Sequence, residues 1–448
     1  MMLTELNWVF SEIILLIAIF IIGILFTYFI IPHIIKLMIK KNYIGYDIHK
    51  NSKPQVAESG GISIVIGYSF TSILLIFAFP LFSNEVFVLL VSVILSGIIG
   101  YLDDRIKLRS RYKIILILFT GSLIFIANFF GFINIESPTI PFLGQLRLNI
   151  IYPLLAPLIV AVFGNTVNML EGYNGEGSGT CLIALISLFI CGLIWNSAEA
   201  ILFTTTGIAV LIPFFHYNKY PAKIFPGDVG TLSMGTILAG VALFGSLEAA
   251  VFCALLIHVF NSFYVLYSVR GFFESSEIQE DRNDIILLED DRIKAASNKK
   301  AALTLPRLLL ARGPLKEPEL VKNFFAISII CGFFAIFTTL MMSMTVNTIN
   351  IVLLVYFIPF LVVFSLILLI FFPRIRGTIS IMIIVMIGGY LLLYFIELVI
   401  MPINFTNIVL FGALLPTNII ISLVLVIPCL GLWYYITIQY FQKESRKM

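Results

Sequence analysis

FGNTVNMLEGYNGEGSG, residues 163–179, follows an apolar run at 150–162 and ends where another begins at Thr180. It contains Asn165, Asn168, Glu171, Asn174 and Glu176 together with Gly172, Gly175, Gly177 and Gly179. A charged side chain at mid-bilayer costs roughly 2.5–3.5 kcal/mol on insertion scales, so such groups mark a functional cavity or an interface. Asn165 and Asn168 are three residues apart and share a helix face, with Glu171 near its end. The glycine-rich turn lets backbone N–H groups approach an anion closely. The stretch reads as a phosphate and metal site at the mouth of a membrane helix.

The surrounding sequence is that of an integral membrane protein: 60% of its 448 residues are hydrophobic and 12% charged, with a mean hydropathy of +1.05. The apolar runs are long and mostly unbroken, which argues for helices and against a β-barrel. We count thirteen, at 9–31, 61–83, 86–102, 114–134, 149–169, 180–196, 199–215, 232–246, 248–269, 323–345, 349–372, 378–400 and 417–440. The fold expected is an all-α polytopic bundle, a ten-helix core with C-terminal extras. It divides into a catalytic region at 1–322, including a long loop at 270–322, and C-terminal helices at 323–448. The first run lacks a basic flank and a small-residue cleavage site, so it reads as a retained helix. Cys181, Cys191, Cys253, Cys331 and Cys429 all lie in apolar runs and read as buried thiols.

Alternate loops carry 27 of the 28 Lys and Arg, leaving only Arg147 on the other side. The positive-inside rule then places the N-terminus outside and the C-terminus and basic loops in the cytoplasm. The unusual polar residues sort to the same side. Asp47, Lys50, Lys53, Glu58 and Ser59 lie on the first of these loops. Asp103 and Asp104 end the third run and precede Arg105, Lys107, Arg109, Arg111 and Lys113. Adjacent carboxylates repel unless a cation stands beside them, which favours Mg²⁺ or a flanking Lys or Arg. The basic stripe suits a pyrophosphate or lipid phosphate, although it also serves as topological anchors. Phe225-Pro226-Gly227-Asp228 presents one carboxylate before a glycine-bearing helix, where Asp228 could equally be an N-cap. Ser59 admits the same capping interpretation. His33, His49, His216 and His258 are scattered without ligand spacing, so no zinc site is expected.

Three patterns in this order resemble the polyprenyl-phosphate N-acetylhexosamine-1-phosphate transferases: DDxxxLRxRxK at 103–113, NxxNxxxGxNG at 165–175, and FxGDxG at 225–230. The loop GYDIHKNSKPQVAESGG at 45–61 is similar to the eukaryotic and archaeal branch that makes dolichyl-diphosphate GlcNAc. The resemblance covers about residues 1–310. It implies that Asn168 and Asp228 hold Mg²⁺, with Mn²⁺ as the alternative, and that Lys113 contacts the phosphates. Asp103 and Asp104 would organise the lipid phosphate or metal, while Gly172, Asn174, Phe225 and Ile48 frame the uridine. Lys50 and Arg307 join the substrate-binding set, and Glu58 supports the basic loop. Two departures stand out. Glu171 replaces an Asp or small residue, and Leu303-Thr304-Leu305-Pro306-Arg307 keeps only the Pro-Arg of a longer eukaryotic motif. No histidine follows His258, unlike the muramyl-pentapeptide branch.

The expected reaction joins UDP-GlcNAc to a polyprenyl or dolichyl phosphate with release of UMP, the first membrane step of lipid-linked glycan synthesis and protein N-glycosylation. The expected partners are those two substrates and the lipid bilayer, with no nucleic acid. A homodimer is common among such enzymes, yet no segment declares an interface. The rival from another class is a secondary transporter of an anionic solute. It would place polar groups at the bilayer midplane in repeated halves, and no repeat is evident.

Overall fold

The computed structural model describes residues 9–146, 148, 151–269, 283–298, 301–346, 351–403, 408–410 and 413–415, with scattered positions between 417 and 439. The helices are α1 (Phe10–Lys40), α2 (Gly61–Ala78), α3 (Ser83–Ile106), α4 (Ser110–Phe129), α5 (Ile151–Leu154), α6 (Ala156–Leu170), α7 (Glu176–Trp195) and α8 (Ala198–Asn218). They continue as α9 (Gly227–Gly245), α10 (Glu248–Ala254), α11 (Leu256–Val269), α12 (Leu305–Leu310), α13 (Glu317–Val346), α14 (Ile351–Phe371) and α15 (Arg376–Phe395). The chain divides into two compact units, Met1–Pro138 with Arg147–Thr339, and Thr139–Leu146 with Leu340–Met448.

The all-α class expected from the sequence is what the structure has. Among the described residues nine helices are long and apolar enough to cross a membrane, or ten if the bent pair α10–α11 counts as one span. The expectation of thirteen runs is therefore refined at two places. The run at 149–169 yields only the 15-residue α6 after the one-turn α5. The run at 248–269 breaks at Leu255, where its two halves meet at 69°. The run at 349–372 forms the 21-residue helix α14, Ile351–Phe371. The run at 417–440 and Cys429 fall largely or wholly outside the described residues.

The loops carry small antiparallel sheets. Strands β1 (Ile44–Tyr46) and β2 (Gln55–Ala57) pair with Gly45 opposite Val56. Strands β3 (Thr139–Ile140) and β4 (Gly144–Gln145) form a second pair. The long loop folds into the sheet β5 (Ile285–Leu287), β6 (Arg292–Ala295) and β7 (Leu315–Lys316), in that order. A last pair is β8 (Ile408–Leu410) with β9 (Ala413–Leu415).

Helix α9 is the axis of the first unit. Every residue from Val229 to Gly245 is buried, against α2, α3, α6, α8 and α10. Its composition allows this, because lipid tails are as apolar as Leu and membrane helices associate through small residues that let backbones approach. A Cβ added at Gly235 would lie 2.5 Å from Cα of Gly164 on α6. On α3, a Cβ at Gly100 would collide with the backbone of Asp228. Ser96 and Thr236 add a hydrogen bond of 2.6 Å between α3 and α9. These contacts fix the start of α9 against the ends of α3 and α6.

Replacing Gly235 by Val should therefore wedge α9 from α6. Overpacking of this kind costs about 1–3 kcal/mol, so thermal unfolding in detergent should shift down by several degrees; an unchanged melting temperature would contradict the close packing.

Candidate active site

Four helix ends meet at Lys113. Asp103 and Asp104 lie in the last turn of α3, Lys113 in the first turn of α4, Asn168 in the last turn of α6 and Asp228 in the first turn of α9. Nζ of Lys113 is 2.6 Å from Oδ2 of Asp103 and pairs with Oδ2 of Asp228. Oδ1 of Asp103 accepts the Leu108 N–H at 2.7 Å, which holds the tight turn after α3. Asp104 accepts the Asp228 N–H at 2.8 Å and the Ser59 hydroxyl at 2.8 Å. Ser59 also accepts from Arg105, whose guanidinium lies 3.5 Å over the Tyr43 ring. Thus Asp228 and Ser59 are not helix caps. The N-cap positions belong to Pro226 and Gly60, neither with a side-chain cap bond.

The turn before α9 is held by backbone pairing. Phe225 N–H donates to Ala57 at 2.8 Å, and the Gly60 and Gly61 N–H groups donate to Phe225 and Pro226 at 2.7 and 2.8 Å. Gly227 has φ of +62°, and a Cβ there would stand 2.5 Å from Oδ2 of Asp104. Only glycine suits both demands.

Asn168 completes the cluster. With its amide oxygen accepting from Nζ of Lys113 at 2.6 Å, its nitrogen donates to Oδ1 of Asp228 at 2.9 Å and to Thr231 at 3.1 Å. Turned over, the amide would set an oxygen at the same 2.9 Å from Oδ1 of Asp228. An octahedral Mg²⁺ with bonds of 2.0–2.1 Å has edges of about 2.9 Å, so this pair of hard oxygens fits one edge of such an ion. Asp228 keeps 25% side-chain exposure, against 4% for Asp103, and so has access to solvent.

The glycine-rich turn behaves differently from its sequence appearance. Its N–H groups face the protein's own carboxylates. Gly172 and Tyr173 donate to Oε2 of Glu176 at 3.1 and 3.2 Å, and Gly177 donates to Oε2 of Glu171 at 2.7 Å. Asn174 N–H donates to Oε1 of Glu317 at 2.7 Å. These four donors are spent on glutamate carboxyls rather than left for a phosphate. Burial pushes the Glu171 carboxyl up to about 8.

The remaining predicted residues gather beside the cluster or apart from it. Ile48 is exposed on the β1–β2 turn. Lys50 pairs with Asp47 at 2.5 Å and lies 4.3 Å over the Tyr220 ring, and Asn174 Nδ2 reaches the same Asp47 oxygen at 2.9 Å. Burial opposes ionisation of Asp47, but Lys50 and Asn174 outweigh it and hold the carboxyl below its usual value. Glu58 lies beside Gly45 and the Phe225 ring. Arg307 is buried, and its five N–H donors make five bonds to the carbonyls of Ala296, Asn298, Ala301 and Ala302. It staples the long loop. That loop is tied to the cluster by Asn261, which donates to Met169 O at 2.8 Å and accepts the Leu305 N–H at 3.0 Å. Asn261 and Glu317 were not singled out from the sequence, where each reads as an ordinary polar residue inside a helix or near a helix end, whereas Arg105, read as part of the basic stripe, is engaged by Ser59 and Tyr43.

Together these features define a polytopic integral membrane protein with a charged site where four helices end. Residues 86–246 match the family described as glycosyl transferase family 4. A protein of Methanocaldococcus jannaschii provisionally named a glycosyltransferase is 33% identical over 70% of this chain and 97% of its own length. A Sulfolobus acidocaldarius protein, provisionally named a UDP-N-acetylglucosamine–dolichyl-phosphate N-acetylglucosaminephosphotransferase, is 32% identical over 52% of this chain and 72% of its own. A phospho-N-acetylmuramoyl-pentapeptide-transferase of Streptococcus uberis is 29% identical over 56% and 79%. The chain belongs to glycosyl transferase family 4.

Glu171 gives a pH test. Its folded pKa of about 8 lies above the ordinary 4.5, so its contribution to stability is fully present below 4.5 and falls as pH rises from there through 8. Melting curves between pH 5 and 9, on the order of half a unit apart, should show a smaller decline for Glu171→Gln than for the wild type. Equal slopes would contradict the shift.

Proposed function

We propose that this protein transfers GlcNAc-1-phosphate from UDP-GlcNAc to a polyprenyl phosphate, of the dolichyl type, releasing UMP at the cytoplasmic face. The observation that carries the reading is the Lys113 ammonium held between Asp103 and Asp228 and beside Asn168, at converging helix ends. The provisional names of the two archaeal relatives support a glycosyl transfer, and one of them names this pair of substrates. The distribution of Lys and Arg supports the cytoplasmic orientation.

The nucleophile is a phosphate monoester, whose second pKa is about 6, so it is largely a dianion at neutral pH. It therefore needs little from a general base. Lys113 binds the diphosphate, and Asp103 holds the ammonium in place. Asp104 fixes the first turn of α9 through the Asp228 N–H, which aims the Asp228 carboxylate. Asn168 and Asp228 would hold Mg²⁺, or Mn²⁺ in its place, which neutralises charge on the phosphoryl oxygens. The site at a helix-end rim lets a lipid tail stay in the bilayer while its phosphate meets a water-soluble nucleotide.

A second reading keeps this chemistry with another UDP-sugar or lipid carrier. It is favoured by one observation: Arg307, which the resemblance puts in the substrate-binding set, spends all five donors on backbone carbonyls of its own loop.

Purified protein in detergent, given labelled UDP-GlcNAc, dolichyl phosphate and Mg²⁺, should move label into the lipid phase with UMP release, and EDTA should stop it. Asp228→Ala and Lys113→Met should each lower kcat by about 10²-fold or more, the loss typical for a group that stabilises developing charge. A folded Asp228→Ala protein with full activity would overturn the assignment; transfer only from another UDP-sugar would establish the second reading.

A further inference from the structure

Asp47 and His49, on the turn between β1 and β2, meet Glu317 at the start of α13, and one donor atom from each lies within 4.8 Å of the others. Three of the four carboxylate oxygens already accept hydrogen bonds. Oδ2 of Asp47 takes Lys50 Nζ at 2.5 Å and Asn174 Nδ2 at 2.9 Å, while Oδ1 has only the His49 N–H at 3.3 Å. Oε1 of Glu317 takes the Asn174 N–H at 2.7 Å. Oε2 of Glu317 is buried without a partner among the described residues, on a residue only 2% exposed. The His49 ring is stacked on Tyr173 with centroids 4.4 Å apart.

A buried carboxylate oxygen with no donor carries an unrelieved desolvation cost. Glu317 stands with another carboxylate and an imidazole, one donor atom of each within 4.8 Å of the others, so a cation answers all three groups at once. We propose that Asp47, His49 and Glu317 form a second divalent-metal site, sharing no residue with the Lys113 cluster and taking Zn²⁺ by preference. Zn²⁺ takes His nitrogen and Asp or Glu oxygen, and three protein ligands leave a fourth position for water; the imidazole favours a transition ion over Mg²⁺ or Ca²⁺. Zinc bonds of about 2.1 Å set tetrahedral ligands about 3.4 Å apart, so side-chain shifts of about an ångström close the set.

The surroundings are those of supported ligands. Asn174 orients both carboxylates, one through its backbone and the other through its amide, and Tyr173 fixes the imidazole plane. A bound ion ties the β1–β2 turn, the turn at 171–177 and the start of α13 to one another. The site stands independently of which substrates the Lys113 cluster takes.

The test measures metal and not activity. Full-length protein in detergent is stripped with chelator, loaded with Zn²⁺, exchanged into excess Mg²⁺ and assayed by mass spectrometry for zinc per chain. Wild type and Asp228→Asn should each keep about one equivalent. His49→Phe, which preserves a ring against Tyr173, and Glu317→Gln should each fall below about 0.1. Loading with Co²⁺ should give a visible absorption band that His49→Phe removes. Wild-type protein that keeps no zinc, or zinc retained in folded His49→Phe, would overturn the proposal. Should Glu317→Gln not fold, His49→Phe alone decides.

Discussion

An ammonium between two carboxylates is the constraint on which this site depends. Lys113 stands at the start of α4 and is paired to the end of α3 through Asp103 and to the start of α9 through Asp228. Breaking one partner of such a pair leaves a buried charge uncompensated, which costs far more than the pair itself contributes. The three helix ends are therefore bound to one another as long as the charges are. Small residues make the arrangement attainable, because Gly100 lets the Asp228 backbone approach α3 and Gly235 lets α6 lie against α9.

A second set of carboxyl groups lies under the glycine-rich turn. Glu171, Glu176 and Glu317 accept its N–H groups, so the turn is pinned from below before any ligand arrives. The chemistry resembles an anion-binding loop, with carboxyl oxygens of the chain as the acceptors. Rigidity of the turn fixes the end of α6, and so Asn168, against α9. Through Asn261 the same end of α6 is linked to the long loop that Arg307 holds in shape.

Much of this was legible in the sequence. Apolar runs fixed the helical class, and among the described residues nine of them became helices long enough to cross a membrane. The acidic pair at 103–104, the lysine at 113, Asn168 and Asp228 were all identified from motif order, and the structure brings them together. Other features carried no local signal. The break at Leu255 has no Pro or Gly to announce it, yet it sets the course of α11 and places Asn261 beneath Met169. Glycines at 172–179 looked like a phosphate cradle because sequence spacing cannot show that their donors would be taken by glutamates. His49 looked isolated because its neighbours Tyr173 and Glu317 are remote in the chain.

The central claim is that Asn168 and Asp228 hold a dication while Lys113 meets the diphosphate. The direct measurement is an experimental structure with Mn²⁺ and a UDP-sugar, using the anomalous signal to place the metal. The account predicts a peak about 2.1 Å from oxygens of both Asn168 and Asp228, with Nζ of Lys113 turned from Asp228 to a phosphate oxygen. A manganese peak that touches neither residue, with the nucleotide bound, would contradict it.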